Sequence, residues 1–387
     1  MIKLLKASSY YPKYLRWFFA RHPELRDASY AAQHAALMAD GFSFPDAWKK
    51  TLEGTGEFSV GEIVINAEPL QRRWAGENGV SFADATWMRD IFLAQVEHFG
   101  PQLLYAHAHE VAYEWSGELK RRYGRRLPIA CYDGIARHDP ALTQHCDLLF
   151  SPVVQSVEFY RATGIRAELM QFGFMPDLLP RLDRQSKQSQ VSFIGSLDVR
   201  SGHAGRCRLL GHIQREAPLD LWLSGLPSDR QLIRYAVSFA RRGEWTALGR
   251  FPAVATTLRH LRTASQGELF GVAMYSALAS SRITVNMHHD AAITTGQAGN
   301  IRLYEATGVG TCLLTDWKPN MPELFDVDRE VVTYRNAEEA VEKIHYLLEH
   351  ENERRTIAER GQRRTLNRYN YADEIRRIAP VLKDLLR

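Results

Sequence analysis

The residues best suited to chemistry lie in one stretch, from Asn300 to Thr315 (NIRLYEATGVGTCLLT). Its polar residues Arg302 and Glu305 precede Gly308 and a buried apolar run, a pattern that predicts a short helix, a tight turn and a strand. A carboxylate near a helix N-terminus suits ribose hydroxyls, and glycines let backbone N–H groups approach a phosphate. The stretch therefore predicts a ligand with both hydroxyls and phosphates. The alternative is a helix packed on a strand, with Arg302 and Glu305 as a surface ion pair.

A longer segment beginning at Asn300, NIRLYEATGVGTCLLTDWKPNMPELFDVDREVVTY, resembles the donor-binding core of group-1-like, spore-maturation (CgeB-like) glycosyltransferases of GT-B fold. The upstream MYSALASSRITVNMH strengthens this resemblance. It extends over residues 191–366, and over residues 1–180 it is limited to the layout of the elements. The resemblance implies that Glu305 holds the ribose of a nucleotide sugar. This chain departs from the wider group-1 pattern at Gln297, where that pattern often has a second acidic residue.

The resemblance also implies further donor-binding residues. Asn286 and His288 match the family stretch, and Asn300 opens the polar cluster. The diphosphate needs basic partners, for which Arg302 and Arg206 are the candidates. This sequence has no DxD among its candidate site loops, and GT-B enzymes neutralise the leaving group with basic side chains and helix N-termini. We therefore expect no metal and no cofactor beyond a nucleoside-diphosphate sugar as co-substrate.

Arg206 opens the helix that follows a turn at Gly195 and Ser196. Related transferases often carry a basic residue there, and glycine at position 195 would let the backbone approach a phosphate. The alternative is that Arg206 is a solvated helix residue, with the nearby Arg208 in the diphosphate role.

Polar residues also follow two predicted strands of the first half. His107 and His109 lie in YAHAHE after QLLYA, and Asp133 follows PIACY. Open parallel sheets bind ligands beyond the carboxyl ends of their strands, so we expect these residues in a binding cleft. A histidine there could act as a general base or donate a hydrogen bond to a sugar hydroxyl. The alternative is that they are ordinary loop residues.

The order of apolar runs predicts an α/β protein with parallel sheets. Six candidate strands occur in the first half, at residues 2–5, 62–66, 102–106, 128–132, 147–151 and 167–171. The domains that we predict are an N-terminal Rossmann-like acceptor domain (1–180), a linker (181–190), a C-terminal Rossmann-like donor domain (191–366) and a terminal helix that packs back on the first domain (367–387). This is the GT-B layout, in which two sheets face a central cleft and C-terminal helices cross back.

The composition is that of an ordinary globular protein. The chain has 387 residues, of which 45% are hydrophobic, and its net charge of +4 is too small to indicate a nucleic-acid partner. Four isolated cysteines without a CxxC pair are typical of a reducing cytosol. With no signal peptide and no long apolar segment, we expect a cytoplasmic protein.

The segment from Tyr10 to Arg21 (YYPKYLRWFFAR) interleaves aromatic and basic residues. Helical spacing from Pro12 onward would place Tyr14, Trp17 and Phe18 on one side. Such a face fits an interfacial helix on an anionic membrane, which would give a peripheral contact at the inner membrane face. It also fits a helix whose aromatics pack into the core of the acceptor domain, or aromatics that stack on the sugar of a soluble acceptor.

The leading prediction is a metal-independent glycosyltransferase of hexosyltransferase type, acting in cell-surface glycan biosynthesis. It would move a sugar from a nucleotide-sugar donor to a hydroxyl of a glycan, lipid-linked or protein acceptor. Two alternatives remain open at this point. One is a nucleotide-sugar epimerase of the same fold, and the other is a non-catalytic GT-B-like protein that binds a nucleotide or glycan as a partner subunit.

Overall fold

A computed structural model describes residues 1–44, 46–134, 138–183, 188–198, 203–289 and 296–387. The chain divides into two compact units. Unit 1 comprises Met1–Met175 together with Asn370–Arg387, and unit 2 comprises Pro176–Tyr369. Each unit contains one parallel sheet flanked by helices, which is the predicted fold class.

The sheet of unit 1 has six parallel strands in the order β2-β1-β3-β4-β5-β6. Each of the six strands predicted from the sequence overlaps one of them. Their bounds are β1 Ile2–Ser8, β2 Phe58–Val64, β3 Leu103–Ala106, β4 Ile129–Tyr132, β5 Leu148–Ser151 and β6 Ala167–Leu169. The strands β3 and β5 are buried along their whole length, as expected where helices cover both faces of a parallel sheet.

The sheet of unit 2 has five parallel strands in the order β11-β10-β9-β7-β8. Their bounds are β7 Ser189–Ser196, β8 Asp220–Ser224, β9 Ser281–Asn286, β10 Cys312–Asp316 and β11 Val332–Tyr334. The central strands β7, β9 and β10 are paired in register, with Val191 opposite Ile283 and Cys312 opposite the same residue on the other side. Their carboxyl ends therefore lie at one edge of the sheet.

The helices that surround the two sheets are numbered here in chain order. They are α1 Pro12–Arg21, α2 Tyr30–Ala39, α3 Ala47–Glu53, α4 Glu68–Glu77, α5 Trp87–Phe99, α6 Ser116–Tyr123, α7 Pro140–Thr143, α8 Val154–Ala162, α9 Ala204–Glu216, α10 Asp229–Arg241, α11 Trp245–Ala264, α12 Gly271–Ala279, α13 Arg302–Gly308, α14 Met321–Leu324, α15 Ala337–Glu349, α16 Glu351–Arg368 and α17 Tyr371–Asp384. Glu110–Trp115 forms a π-helix, and three short 3-10 helices lie at Pro23–Asp27, Gly124–Arg126 and Pro176–Arg181.

The aromatic residues of α1 pack inward. Tyr14 and Phe18 are buried, and only Trp17 of the three residues predicted for one face is partly exposed. Tyr14 stacks on Phe42, with ring centroids 3.8 Å apart, and its hydroxyl donates to Asp40 at 2.8 Å. The aromatic face therefore belongs to the core of unit 1, and the alternative of a packed helix describes it better than that of a membrane helix.

The last helix, α17, is part of unit 1. Its first residue, Tyr371, is buried against α3, where the Trp48 indole N–H donates to the Tyr371 hydroxyl at 3.4 Å. The ring of Phe44 stacks on Tyr371 with centroids 4.0 Å apart. Aromatic pairs of this kind add to the free energy gained by burial. They fix the C-terminal segment on the sheet of unit 1.

Candidate functional site

Polar residues collect at the carboxyl ends of the central strands of unit 2. Gly195 and Ser196 end β7, Asn286 ends β9 and Asp316 ends β10. Because the three strands are parallel neighbours, these residues share one edge of the sheet. That edge is where open α/β sheets bind their ligands. Several predicted donor-binding residues thus lie on the side of the fold that such a role requires.

Asn286 and Asn300 form a reciprocal amide pair at this edge. The Asn300 amide donates to Asn286 Oδ1 at 2.9 Å, and the Asn286 amide donates to Asn300 Oδ1 at 3.3 Å and to Thr315 Oγ1 at 2.9 Å. The Tyr334 hydroxyl donates to the carbonyl of Asn286 at 2.7 Å. Three strand ends and the segment that precedes α13 are therefore held together by one polar network.

His288 is buried beside Asp316. Its backbone N–H donates to Asp316 Oδ1 at 2.9 Å, and its ring Nδ1 lies 2.7 Å from the same oxygen. The backbone N–H of Gly299 donates to His288 Nε2 at 3.4 Å. These contacts assign the proton to Nδ1, because Nε2 then serves as the acceptor. The Lys318 ammonium completes the cluster, 2.8 Å from Asp316 Oδ2.

The environment of Asp316 predicts a pH dependence. Burial alone would raise the pKa of its carboxyl, but the hydrogen bond from His288 and the charge of Lys318 outweigh burial and lower the pKa to about 2. Since this folded pKa lies below the unfolded value of about 3.9, Asp316 stabilises the fold above pH 4. That stabilisation, on the order of 2 kcal/mol, is lost as the pH falls from about 4 through about 2.

We therefore expect wild type to lose more stability than Asp316→Asn as the pH is lowered from about 5 to about 2.5. Asparagine cannot ionise, so its contribution is independent of pH. Thermal denaturation of both proteins at matched pH values measures the difference. Equal acid sensitivity of the two proteins would contradict this account of Asp316.

Glu305 is buried in the first turn of its helix, α13. Its Oε1 accepts from the Tyr275 hydroxyl at 3.1 Å, and its Oε2 lies 2.9 Å from Arg302 Nη1. Among the residues that the structure describes, none donates a hydrogen bond to Oε2. The pair of Arg302 and Glu305 exists, as the alternative expected, but it is buried and not on the surface. Glu305 thus offers one carboxylate oxygen with an open acceptor position.

Arg302 has three contacts. Besides the ion pair with Glu305, its Nη2 donates to the carbonyl of Ile194 at 3.0 Å, and Nη1 lies 3.4 Å from the sulfur of Met274. The guanidinium therefore connects α13 to the carboxyl end of β7. This arrangement fixes the orientation of the Glu305 carboxylate.

Arg206 is buried, and so it is not the solvated helix residue of the alternative prediction. Its Nη1 donates to the carbonyl of Ser196 at 2.5 Å and its Nη2 to the carbonyl of Met287 at 2.6 Å. These carbonyls follow β7 and β9, so the guanidinium joins two strand ends. Arg208, the alternative candidate for the diphosphate, lies two residues further along α9 and is exposed to solvent.

Gly308 lies apart from the other predicted donor-binding residues. It is the last residue of α13, and the turn that follows leads into the amino end of β10, at the opposite edge of the sheet. The Gln362 amide donates to the carbonyl of Gly308 at 3.0 Å. Helix α16 therefore contacts this turn, and the structure does not bring Gly308 to the strand ends where Asn286 and His288 lie.

A cavity of about 1000 Å³ opens beside the Asp316 cluster. The carboxyl ends of β9, β10 and β11 form one side, and helices α9, α11 and α15 contribute the rest. The charged residues of its lining are four cations, Arg208, Arg215, Lys318 and Arg335, and two carboxylates, Asp316 and Glu338, so cations are in excess. Such a lining suits an anionic ligand.

Asp316 and Lys318 are functional candidates that the sequence interpretation missed. The signal was present, because the polar residues of DWK follow directly after the apolar strand CLLT. Open parallel sheets bind ligands beyond the carboxyl ends of their strands, and this rule applies to the residues at the end of CLLT as well.

In unit 1, His107 follows the carboxyl end of β3 and is half-buried. Burial and the nearby Lys6 lower the pKa of His107 to about 4, so its ring is neutral near pH 7. The ring packs between aromatic neighbours, with its centroid 5.1 Å from that of Tyr132 and 6.0 Å from that of Tyr105. A neutral imidazole can accept a proton or a hydrogen bond.

Asp133 and His109 have different environments. Asp133 is buried after β4, and its Oδ2 accepts from the Tyr160 hydroxyl at 3.0 Å. Burial and this carboxylate together raise the pKa of Tyr160. His109 is exposed and stacks on Tyr113, with ring centroids 4.3 Å apart. The structure thus places His107 and Asp133 at the ends of adjacent strands, and His109 on the surface nearby.

Neither a cluster of metal-ligating side chains nor a membrane-spanning helix occurs in the part of the chain that the structure describes. No group of three or more His, Cys, Asp or Glu side chains there could hold a metal ion. Within the same residues, no helix is long and apolar enough to cross a membrane.

Known proteins share part of this sequence and its overall fold. Residues 206–379 match the family described as Glycosyl transferase-like. No curated protein matches the sequence. Among solved structures, sucrose-phosphate synthase from Thermosynechococcus elongatus is similar with a TM-score of 0.56 at 11% identity, covering 100% of this chain and 99% of that one.

Two further structures are similar over nearly the whole chain. HepE from Anabaena, in complex with UDP and glucose, has a TM-score of 0.56 at 13% identity and covers 99% of this chain and 100% of its own. A putative UDP-N-acetylglucosamine 2-epimerase from Listeria monocytogenes has a TM-score of 0.52 at 10% identity, covering 99% and 96%. The chain therefore has the GT-B fold, and its residues 206–379 carry the glycosyl transferase-like sequence pattern.

Proposed function

We propose that this protein is a glycosyltransferase that takes a sugar from a nucleoside-diphosphate sugar bound to unit 2 and transfers it to an acceptor hydroxyl. The observation that carries the proposal is the buried Glu305, whose Oε2 accepts no hydrogen bond from a described residue. It lies within the segment that matches the glycosyl transferase-like family. The resemblance to the CgeB-like subgroup remains part of the proposal.

Glu305 would bind the ribose. The charge of Arg302 already compensates Oε2 from 2.9 Å away, and a ligand hydroxyl would add the hydrogen bond that this oxygen lacks. The ion pair with Arg302 and the hydrogen bond from Tyr275 hold the carboxylate in one orientation before the ligand arrives. Preorganisation of this kind raises affinity, because fewer groups must be ordered on binding. The similar HepE structure contains UDP, which makes UDP the first nucleotide to test.

The diphosphate would lie at the carboxyl edge of the sheet near Gly195 and Ser196. A Cβ at Gly195 would come 3.3 Å from the Phe193 ring, a tight contact that glycine avoids. Lys318 is the proposed cation, because it lines the cavity and its side chain is 13% exposed. Arg206, which the sequence nominated for the same role, would act by holding the strand ends together. Asn286, Asn300 and His288 would complete the donor site.

Arg302 would act as a positioning residue for Glu305. We expect Arg302→Lys to weaken UDP binding at least tenfold while the fold is retained, because lysine cannot reach Glu305, Ile194 and Met274 with one planar fork. Calorimetric titration with UDP measures the change, and Arg355→Lys, an exposed arginine on α16, is the matched control. Wild-type affinity in the Arg302 variant would refute the role.

On unit 1, His107 is the proposed general base for the acceptor hydroxyl. Its neutral ring near pH 7 can accept a proton, although a pKa of about 4 makes it a weak base in the unliganded protein. Asp133 would assist by fixing Tyr160 at the same strand ends. His109, which is exposed and stacks on Tyr113, would contact the acceptor.

We expect transfer to require no divalent metal. The reason is the basic lining of the cavity next to Asp316, which would neutralise the leaving diphosphate in place of a metal ion. Assaying turnover with and without EDTA tests this. Loss of activity in EDTA that manganese restores would contradict the expectation.

The acceptor would be a glycan, a lipid-linked sugar or a protein, and the reaction would take place in the cytoplasm as a step of cell-surface glycan synthesis. A nucleotide-sugar epimerase is the second candidate, favoured by the similarity to the putative epimerase from Listeria monocytogenes. Incubation with a panel of nucleotide sugars separates the two. Release of free nucleotide supports transfer or hydrolysis, interconversion of sugars without release supports the epimerase, and binding without turnover would overturn both.

A further inference from the structure

Helices α10 and α11 of unit 2 carry exposed apolar side chains that the proposed reaction does not use. Ile233 is 61% exposed, Val237 is 44% exposed and Trp245 is 68% exposed. Leu232 is the one residue of α10 that is fully buried. Burying large apolar side chains against a partner releases free energy, so a group of them on the surface marks an interaction site.

Arginines lie on the same side of α10. Arg230, Ile233, Arg234, Val237 and Arg241 are spaced at i, i+3, i+4, i+7 and i+11, which places all five along one stripe of the helix. All five are exposed. With Trp245 at the start of α11, they are called the docking stripe below.

The acidic residues of this region do not neutralise the docking stripe. Asp229 pairs with Arg259 and Arg262, each at 2.8 Å. Glu244 pairs with Arg242 at 3.0 Å. The three arginines of the stripe form no ion pair with any residue that the structure describes. Their charges are therefore available to an anionic partner.

We propose that the docking stripe binds the protein to the surface of an anionic lipid membrane. A helix with exposed aliphatic side chains flanked by arginines lies in a bilayer interface, with its apolar residues among the acyl chains and its cations on the lipid phosphates. Tryptophan is enriched at that depth, which accounts for the exposed Trp245. A single-stranded nucleic acid would instead require several aromatic side chains on which successive bases stack, and the docking stripe offers only Trp245 beside isoleucine and valine.

This surface differs from the segment that the sequence suggested for membrane contact. In α1 the aromatic residues Tyr14 and Phe18 are buried in unit 1. In α10 both the apolar and the basic residues face solvent. The docking stripe and Glu305 lie on different helices, and binding to vesicles requires neither a sugar donor nor a sugar acceptor. The proposed membrane binding can therefore be tested independently of the proposed transfer reaction.

Co-sedimentation with vesicles tests the proposal. We expect the full chain to sediment with vesicles of phosphatidylcholine and phosphatidylglycerol at low salt, to bind vesicles of phosphatidylcholine alone much more weakly, and to dissociate as salt is added. Arg230→Gln/Arg234→Gln should lower the partition coefficient roughly 30-fold, because each arginine near an anionic surface contributes about a factor of five. Ile233→Ser/Val237→Ser should also lower it.

Two matched controls isolate the stripe. Arg355→Gln/Arg360→Gln removes two exposed arginines from α16, and Val154→Ser removes an exposed apolar side chain from unit 1, so both should bind as wild type does. Quenching of tryptophan fluorescence by brominated lipid should fall in Trp245→Phe. A wild type that stays in the supernatant at low salt, or stripe variants that bind like the controls, would overturn the proposal. So would a dimer in solution that dissociates in Ile233→Ser/Val237→Ser, because the stripe would then bind a second copy of the chain.

Discussion

The Asp316→Ala variant should lose about 3 kcal/mol of unfolding free energy. Removing one partner of a buried ionic cluster leaves the others without compensation, and Asp316 is the acceptor for His288 Nδ1, for the His288 backbone N–H and for Lys318. The lower end of the usual range applies because Lys318 is 13% exposed and can turn toward water. Urea denaturation followed by tryptophan fluorescence measures the loss.

The matched control for this variant is Asp316→Asn. Asparagine keeps an oxygen that can accept from His288, so we expect it to lose less than half as much stability as the alanine variant. Where the two units unfold in separate steps, only the step of unit 2 should shift. A wild-type midpoint for Asp316→Ala would show that the cluster of His288, Asp316 and Lys318 does not hold the strand ends together.

The Glu305→Ala variant should bind UDP well over tenfold more weakly than wild type. A hydrogen bond to a charged group contributes about 1.5–3 kcal/mol, and a tenfold change in affinity corresponds to about 1.4 kcal/mol. The proposed ribose contact accounts for at least one such bond at Oε2 of Glu305. Calorimetric titration with UDP measures it, with the melting temperature as a check that the variant is folded.

Glu305→Gln refines this test. Glutamine retains the volume and an oxygen that can accept from Tyr275, but it loses the charge that strengthens a hydrogen bond to a hydroxyl. Its affinity should lie between those of wild type and the alanine variant. Glu342→Ala, an exposed position on α15, controls for the loss of a carboxylate elsewhere in unit 2. An unchanged dissociation constant in folded Glu305→Ala would remove the ribose assignment.

The strands and the residues after them were predictable because of a simple physical pattern. Parallel strands covered on both faces must be apolar, so runs such as LLFS and CLLT are distinct from their surroundings. A polar residue directly after such a run falls at the carboxyl edge of the sheet. This pattern predicted His107 and Asp133 at the ends of their strands.

The contacts of the arginines could not be predicted in the same way. Arg206 is buried because carbonyl groups of Ser196 and Met287 receive its guanidinium, and Met287 lies 81 residues away in the sequence. No local pattern encodes a pairing over that distance, and an arginine in a helix is normally solvated. The position of Gly308 in the fold could not be predicted for a related reason. The sequence indicates a turn but not that it lies at the far end of α13 from Asn300.

Residues 226–268 gave no clear signal in the sequence although they form two helices. Helix α11 contains Pro252 in its interior, which normally indicates a helix end. In α10 the apolar stripe is wide, because Ile233 and Val237 extend it from the buried Leu232 to the exposed side of the helix. These two exposed residues belong to the proposed docking stripe.

A crystal structure of the protein with UDP tests the central claim, that unit 2 binds a nucleoside diphosphate at the carboxyl ends of its sheet. The account predicts the ribose hydroxyls within hydrogen-bond distance of Glu305 Oε2, and the diphosphate beside Gly195, Ser196 and Lys318. A nucleotide bound elsewhere on the chain, with the Glu305 carboxylate still contacting only Arg302 and Tyr275, would contradict it.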